Sequence, residues 1–242
     1  MESAAWIAIP AVAFVAGLVQ ASCGIGFAII VMSLWPLWIP FRVASAIEHV
    51  AAMLVSGYLV IRLFPHIRWK LILPCLASGL VCSFLGVRMM LTFSETFLHK
   101  ILGITLLLLT AWFLFFSKKV KLRPSVTTGL AVGCVTGFAG GIFNIGGPPM
   151  AAYLLSVSDD KNAYSASVQA YFLIAGTVAL VSHLTAGTFT ADMLPAGSFA
   201  LAGTFAGMLL GFILFRRLTL PKIKTLLYVF MATAGVLLLL FG

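Results

Sequence analysis

Thr136-Gly137-Phe138-Ala139-Gly140-Gly141-Ile142-Phe143-Asn144-Ile145-Gly146-Gly147-Pro148-Pro149 lies within a long apolar region, yet it is poor material for one unbroken helix. In a helix interior Gly costs about 1 kcal/mol and Pro about 3 kcal/mol relative to Ala. Asn144 to Gly147 ahead of two prolines therefore reads as a break, and Pro148 or Pro149 can open a new helix at its first turn. In hydrocarbon a break leaves backbone N–H and C=O groups unpaired, which is tolerated only where the segment is buried in protein or lines a polar cavity. The stretch is the leading candidate for a working site.

Composition sets the class around it. Of 242 residues, 62% are hydrophobic and 9% charged, with a mean hydropathy of +1.15; a soluble domain carries about 25% charged residues. So many apolar side chains find enough water-free surroundings only in a bilayer. The expected fold is an all-α polytopic membrane protein with no room for a separate soluble domain. The first residues, Met1 to Trp6, lack a basic start, and Pro10 interrupts the apolar run. They read as a retained membrane segment, not a cleaved signal peptide. The net charge of +9 sits in short loops between apolar runs, which points to a topological signal and away from nucleic acid.

Apolar segments fall at about 4–22, 25–40, 43–63, 70–91 and 97–117, then at about 125–143, 148–158, 162–184, 191–215 and 222–241. This divides the chain into a first membrane repeat (1–117), a basic cytoplasmic linker (118–124) and a second repeat (125–242). Ala16-Gly17-Leu18 through Phe27 aligns without gaps on Thr136-Gly137-Phe138 through Gly147 at an offset of 120, and His49 meets Gln169 at the same offset. Five segments per half would place the second half upside down. With both termini outside the cell membrane, twelve of the fifteen Lys and Arg fall in inside loops, as the positive-inside rule requires. The short segments 25–40 and 148–158 either form broken, re-entrant hairpins with their predecessors or cross with help from neighbours. Re-entrant breaks from opposite faces would meet near the midplane, as in transporters built from inverted repeats. Gly129, Gly133, Gly137 and Gly141, and likewise Gly203, Gly207 and Gly211, recur every four residues, a spacing that suits close helix packing.

Helix N-termini near Phe27 and Pro149 would present amide groups and a positive dipole end to an anion. The residues expected around a small oxyanion are Gln20, Ser22, Cys23, Gly24 and Gly26 at the first break. At the second they are Asn144, Gly146, Gly147 and Pro148, with Gln169 facing the pseudo-symmetric centre. The cluster of acidic side chains that a hard cation needs is missing. Glu48 and His49 form the one adjacent titratable pair in an apolar segment and read as proton-coupling residues, unless Glu48 lies near enough to the outer surface to be solvated. His183, His66 and His99 read as segment-end or loop residues. No hydrolase triad, P-loop or zinc pattern is present, so neither a metal nor a cofactor is expected and the chain does not read as an enzyme. The four cysteines lie in apolar stretches without a CxxC and read as small buried hydrophobes, with a Cys23–Cys134 redox pair as the alternative.

The two glycine-rich stretches, Gly137 to Pro149 and Gly17 to Phe27, with the two-half layout and the basic linker, resemble the sulfite exporter TauE/SafE family over essentially the whole chain. The sequence departs from the usual glycine-rich pattern at Phe27 and at Asn144. The resemblance implies transport of sulfite, sulfonates or related organosulfur and organic acids. The reading is a secondary anion transporter, possible proton coupling included, in which rocking of the halves gives alternating access. A membrane thiol oxidoreductase or assembly factor, or a passive anion channel, are its alternatives. Direction and oligomeric state stay open.

Overall fold

The computed structural model describes residues 5–115, 122–158 and 160–217, with 219, 222 and 225. Linker residues 118–121 and the tenth apolar segment from 226 onward lie outside them. The described chain is all-helical: α1 (Ala5–Cys23), α2 (Phe27–Leu34), α3 (Phe41–Leu63), α4 (Trp69–Met90), α5 (Glu95–Phe115), α6 (Val126–Phe143), α7 (Gly147–Val157), α8 (Lys161–Thr185) and α9 (Leu194–Arg217). Three short 3-10 turns join them, at Trp35–Leu37, Phe64–His66 and Ala191–Met193. Six helical spans among the described residues are long and apolar enough to cross a membrane, while Phe27–Leu37 is shorter. The protein is a multi-pass membrane protein.

Local chemistry sets the helix ends. The Ser125 hydroxyl accepts from the Thr128 N–H at 3.1 Å and the Asp160 carboxylate from the Asn162 N–H at 2.9 Å, so α6 and α8 begin at side-chain caps. The start of α3 is held from a distance, since Glu95 Oε2 accepts from the Phe41 N–H at 2.6 Å. The breaks lie where the glycines indicate: α1 ends at Cys23 and α2 starts at Phe27, while α6 ends at Phe143 and α7 starts at Gly147. Both breaks contain a left-handed residue, Gly24 at φ 85° and Asn144 at φ 62°. Asn is among the few side chains that tolerate this region, so Asn144 can end α6 where most residues would be strained.

Packing alternates between the halves of the chain. α1 lies along α9, α6 along α4, and α3 along α8. The regular glycines make two of these contacts. Gly203, Gly207 and Gly211 of α9 meet Pro10, Phe14 and Leu18 of α1, and Gly129, Gly137 and Gly141 of α6 meet Pro74, Gly79 and Ser83 of α4. Contacts advance in the same direction along both partners, so each pair is parallel. Gly207→Ala would drive a Cβ into the Phe14 carbonyl oxygen, where no side chain can turn aside. Overpacking costs about 1–3 kcal/mol, so this variant should unfold at a lower temperature than the parent. Gly197→Ala on the same helix meets nothing within 4 Å and should gain up to about 1 kcal/mol from helix propensity. Thermal midpoints of the purified variants check the pair; equal midpoints would contradict the close α1–α9 contact.

Candidate functional site

The two breaks meet. A Cβ on Gly147 would stand 3.2 Å from Ile25 Cβ, and both turns open on a cavity of about 90 Å³. A water needs about 10–15 Å³, so the space suits a small anion with part of its hydration. Its lining contains no Lys or Arg among the described residues.

Of the residues expected at the site, Gln20, Gly26, Glu48, His49, Asn144, Gly146 and Gly147 line the cavity. Ser22, Cys23, Gly24, Pro148 and Gln169 stand behind it. The Ser22 hydroxyl donates to the Val19 carbonyl at 3.1 Å and lies 3.6 Å from Cys23 Sγ. Pro148 is buried in the first turn of α7. Gln169, fully buried, donates through Nε2 to the Gly24 carbonyl at 2.8 Å and accepts from the Ser56 hydroxyl at 2.8 Å. Gln20 Nε2 lies 3.4 Å from both Ser56 Oγ and Gln169 Oε1, and Gln20 Oε1 accepts from the Phe27 N–H at 3.3 Å. The start of α2 is therefore already capped by an amide from α1. α7 is limited in another way: Pro148 and Pro149 carry no N–H, which leaves Gly146, Gly147 and Met150 as its donors. The two helix starts are chemically unequal.

A second polar cluster surrounds Asn144. On α3, Ser45, Glu48, His49, Ala52 and Ser56 recur at helical spacing and share one face. Asn144 Nδ2 donates to Glu48 Oε2 at 2.6 Å and to the Ser45 carbonyl at 3.1 Å, while Asn144 Oδ1 accepts from the Ser45 hydroxyl at 2.8 Å. His49 Nδ1 lies 2.9 Å from the Ser45 carbonyl. Asn144 Nδ2 lies 3.1 Å from the same nitrogen. Glu48 and His49 are both buried, at 4% and 8% exposure, which removes the reading of Glu48 as a solvated surface residue. Position 49 touches residue 144 as position 169 touches residue 24, each related by the offset of 120 seen in the sequence.

Three departures from the sequence reading concern partners distant in the chain. His183, expected at an interface, is fully buried. Its Nε2 lies 3.2 Å from Ser45 Oγ and its ring packs 5.4 Å from that of His49. Cys134 faces Cys82 of α4, with 3.1 Å between the sulfurs, while Cys23 is buried beside Ser22. Ser45, Ser56, Ser83, Thr136 and Tyr171 also join the site or its support, and only their helical register relative to the breaks could have marked them.

A family model described as sulfite exporter TauE/SafE matches residues 9–238, nearly the whole chain. No curated protein and no solved structure matches it.

Proposed function

The chain belongs to the sulfite exporter TauE/SafE family of membrane transporters, and from that premise we propose that it carries a small anion, a sulfur oxyanion or organosulfur acid, across the cell membrane by alternating access. The observation that carries this reading is the meeting of two broken helices at one buried cavity. Amide, hydroxyl and imidazole groups and the Glu48 carboxyl line it, with no Lys or Arg among the described residues to trap an anion. Gln20, Asn144, Gly26, Gly146 and Gly147 are its proposed contacts. Ser22, Cys23, Gly24, Pro148 and Gln169 hold the breaks in shape behind them.

The same reading takes 1–117 and 125–242 as inverted repeats around the linker, with both termini outside and the breaks as re-entrant hairpins. Support comes from the exchange of partners: α1 lies on α9 as α6 lies on α4, and these are equivalent pairs under the sequence offset. The glycine contacts argue against rocking of one sequence half against the other, which would pull both close-packed pairs apart. The moving bodies are instead α1–α2 with α9 and α6–α7 with α4, turning about the α3–α8 pair. Glu48 and His49, at the edge of the cavity, accept and release the coupling proton.

Reconstitution tests the carrier directly. Vesicles containing the full chain, given sulfite outside and an imposed pH gradient, should accumulate it above the outside concentration. Uptake that stops at equality would mark a passive channel, and no uptake of sulfite, methanesulfonate or acetate would remove the anion reading.

A further inference from the structure

His183 is fully buried, and the carrier reading gives it no task. A polar ring at this depth is costly to keep. The repeat does not call for it either: at the offset of 120 the equivalent residue is Leu63 of α3, buried and apolar. Leu serves the shape in one half, so the imidazole in the other half asks for a chemical reason.

Its neighbours form a line. On the loop side, Thr188 Oγ1 lies 3.4 Å from His183 Nδ1, in a loop that also holds exposed Ala186 and Gly187. On the other side of the ring, Nε2 lies 3.2 Å from Ser45 Oγ, and the ring centres of His183 and His49 are 5.4 Å apart. His49 Nδ1 in turn stands 3.5 Å from Glu48 Oε2. Glu48 and His49 line the cavity, whereas Thr188, His183 and Ser45 do not. The line therefore reaches the carboxyl from behind the cavity wall, passing from the loop to α8 to α3. His49 is the titratable group facing His183. Ser45 of α3 and Thr188 of the loop are uncharged, and no Lys, Arg, Asp or Glu among the described residues bonds to the ring.

We propose that His183 passes the coupling proton between the loop at the end of α8 and the Glu48–His49 pair, by a route separate from the anion's. This rests on the proton-coupled carrier reading and, with both termini outside, opens the proton's route to the outer side. A neutral imidazole holds a hydrogen on one nitrogen and a lone pair on the other, so it takes a proton at the Thr188 side while releasing one at the Ser45 side. The torsion that turns a His ring is soft. Rings centred 5.4 Å apart bring nitrogen to nitrogen at about 3 Å when turned edge to edge, within hydrogen-bond reach. The proton then moves from His183 to His49 and on to the Glu48 oxygen, with only N–H and O–H bonds made and broken. Asn144 gates the route. Its Nδ2 lies 3.1 Å from His49 Nδ1 and 2.6 Å from Glu48 Oε2, so both groups are held while α6 is in this position and released to the relay when α6 and α7 turn away.

The test uses the full chain in vesicles and two measurements: sulfite uptake driven by an acidic outside, and sulfite exchange at equal pH, which needs no net proton movement. His183→Gln keeps a hydrogen-bonding side chain beside Ser45 but cannot relay a proton. It should slow the initial rate of driven uptake at least about tenfold, a modest share of what positioned proton transfer supplies. Exchange, the half-saturating sulfite concentration and the final accumulation ratio should match the parent, because a relay sets the rate and Glu48 sets the ratio. Thr188→Val should slow driven uptake in the same direction. Driven uptake at the parent rate in His183→Gln would overturn the proposal. So would a common fall in driven uptake, exchange and melting temperature, which marks a packing role. Should His183→Gln give no folded protein, Thr188→Val decides: parent-like driven uptake overturns the relay, and slowed uptake with intact exchange upholds it. A parent that never exceeds the outside concentration removes the coupled-carrier reading and the relay with it. A parent that accumulates sulfite beside an unaffected His183→Gln removes the relay alone.

Discussion

Replacing Asn144 with Leu is expected to cost the protein its fold, whereas replacing it with Gly is expected to spare the fold and remove most of the transport. Two separate demands meet at this residue. Its backbone stands at φ 62°, a conformation that costs an ordinary side chain about 1–2 kcal/mol and Gly nothing. Its side chain joins α6 to α3, donating to Glu48 Oε2 at 2.6 Å and accepting from the Ser45 hydroxyl at 2.8 Å. Leaving a buried partner without its hydrogen bond costs about 1–3 kcal/mol. Leu fails both demands and also brings a branched side chain to a position only 8% exposed. Gly fails only the second. Asn144→Gly should therefore elute as a single folded species, with sulfite flux in vesicles reduced at least about tenfold, because Glu48 and the second break are no longer tied together. Asn144→Leu should give little folded protein. Were both variants to melt together and transport alike, neither the backbone conformation nor the tie to Glu48 would matter here.

That contrast also separates what could be read from the chain and what could not. The breaks were legible because Gly and Pro act locally: no distant partner is needed for Asn144-Ile145-Gly146-Gly147-Pro148-Pro149 to refuse a helix. The offset of 120 was legible too, and it carried Gln169 and His49 to equivalent contacts with residues 24 and 144. The partner of a hydroxyl or thiol is a tertiary fact. Thr136 and Thr204 look alike as threonines among apolar neighbours. Yet Thr204 Oγ1 donates to the Ala200 carbonyl at 2.8 Å, and Thr136 Oγ1 is left without a partner. His183 was misplaced for the same reason. Two residues before the end of α8 it resembles an interfacial residue, and only the packing of α8 on α3 brings it under cover, against Ser45.

Glu48→Gln should abolish uptake driven by a pH gradient while leaving exchange down a concentration gradient intact. The substitution keeps the shape, and the Gln carbonyl oxygen can still accept from Asn144. It removes only the capacity to carry charge. With Glu48 ionised, an anion in the cavity meets a second negative charge. At a separation of about 6 Å and an effective dielectric near 20 the repulsion is roughly 3 kcal/mol, equivalent to about a hundredfold in affinity. On the proton-coupled reading the anion is admitted with Glu48 protonated, and the proton travels with it. One proton for each monovalent anion gives about tenfold accumulation per pH unit of gradient, and Glu48→Gln should reduce this ratio to one. The sign for binding follows. In the parent, anion affinity falls as pH rises and Glu48 gives up its proton, whereas in Glu48→Gln that fall should vanish. The titratable group beside this carboxyl is His49 on its own helix, His183 on α8 packs against the His49 ring, and no Lys or Arg lines the cavity among the described residues. His49→Gln then decides between carriers of the proton. If Glu48→Gln still accumulates sulfite against its gradient and His49→Gln does not, the imidazole is the proton site and the carboxyl only orients Asn144.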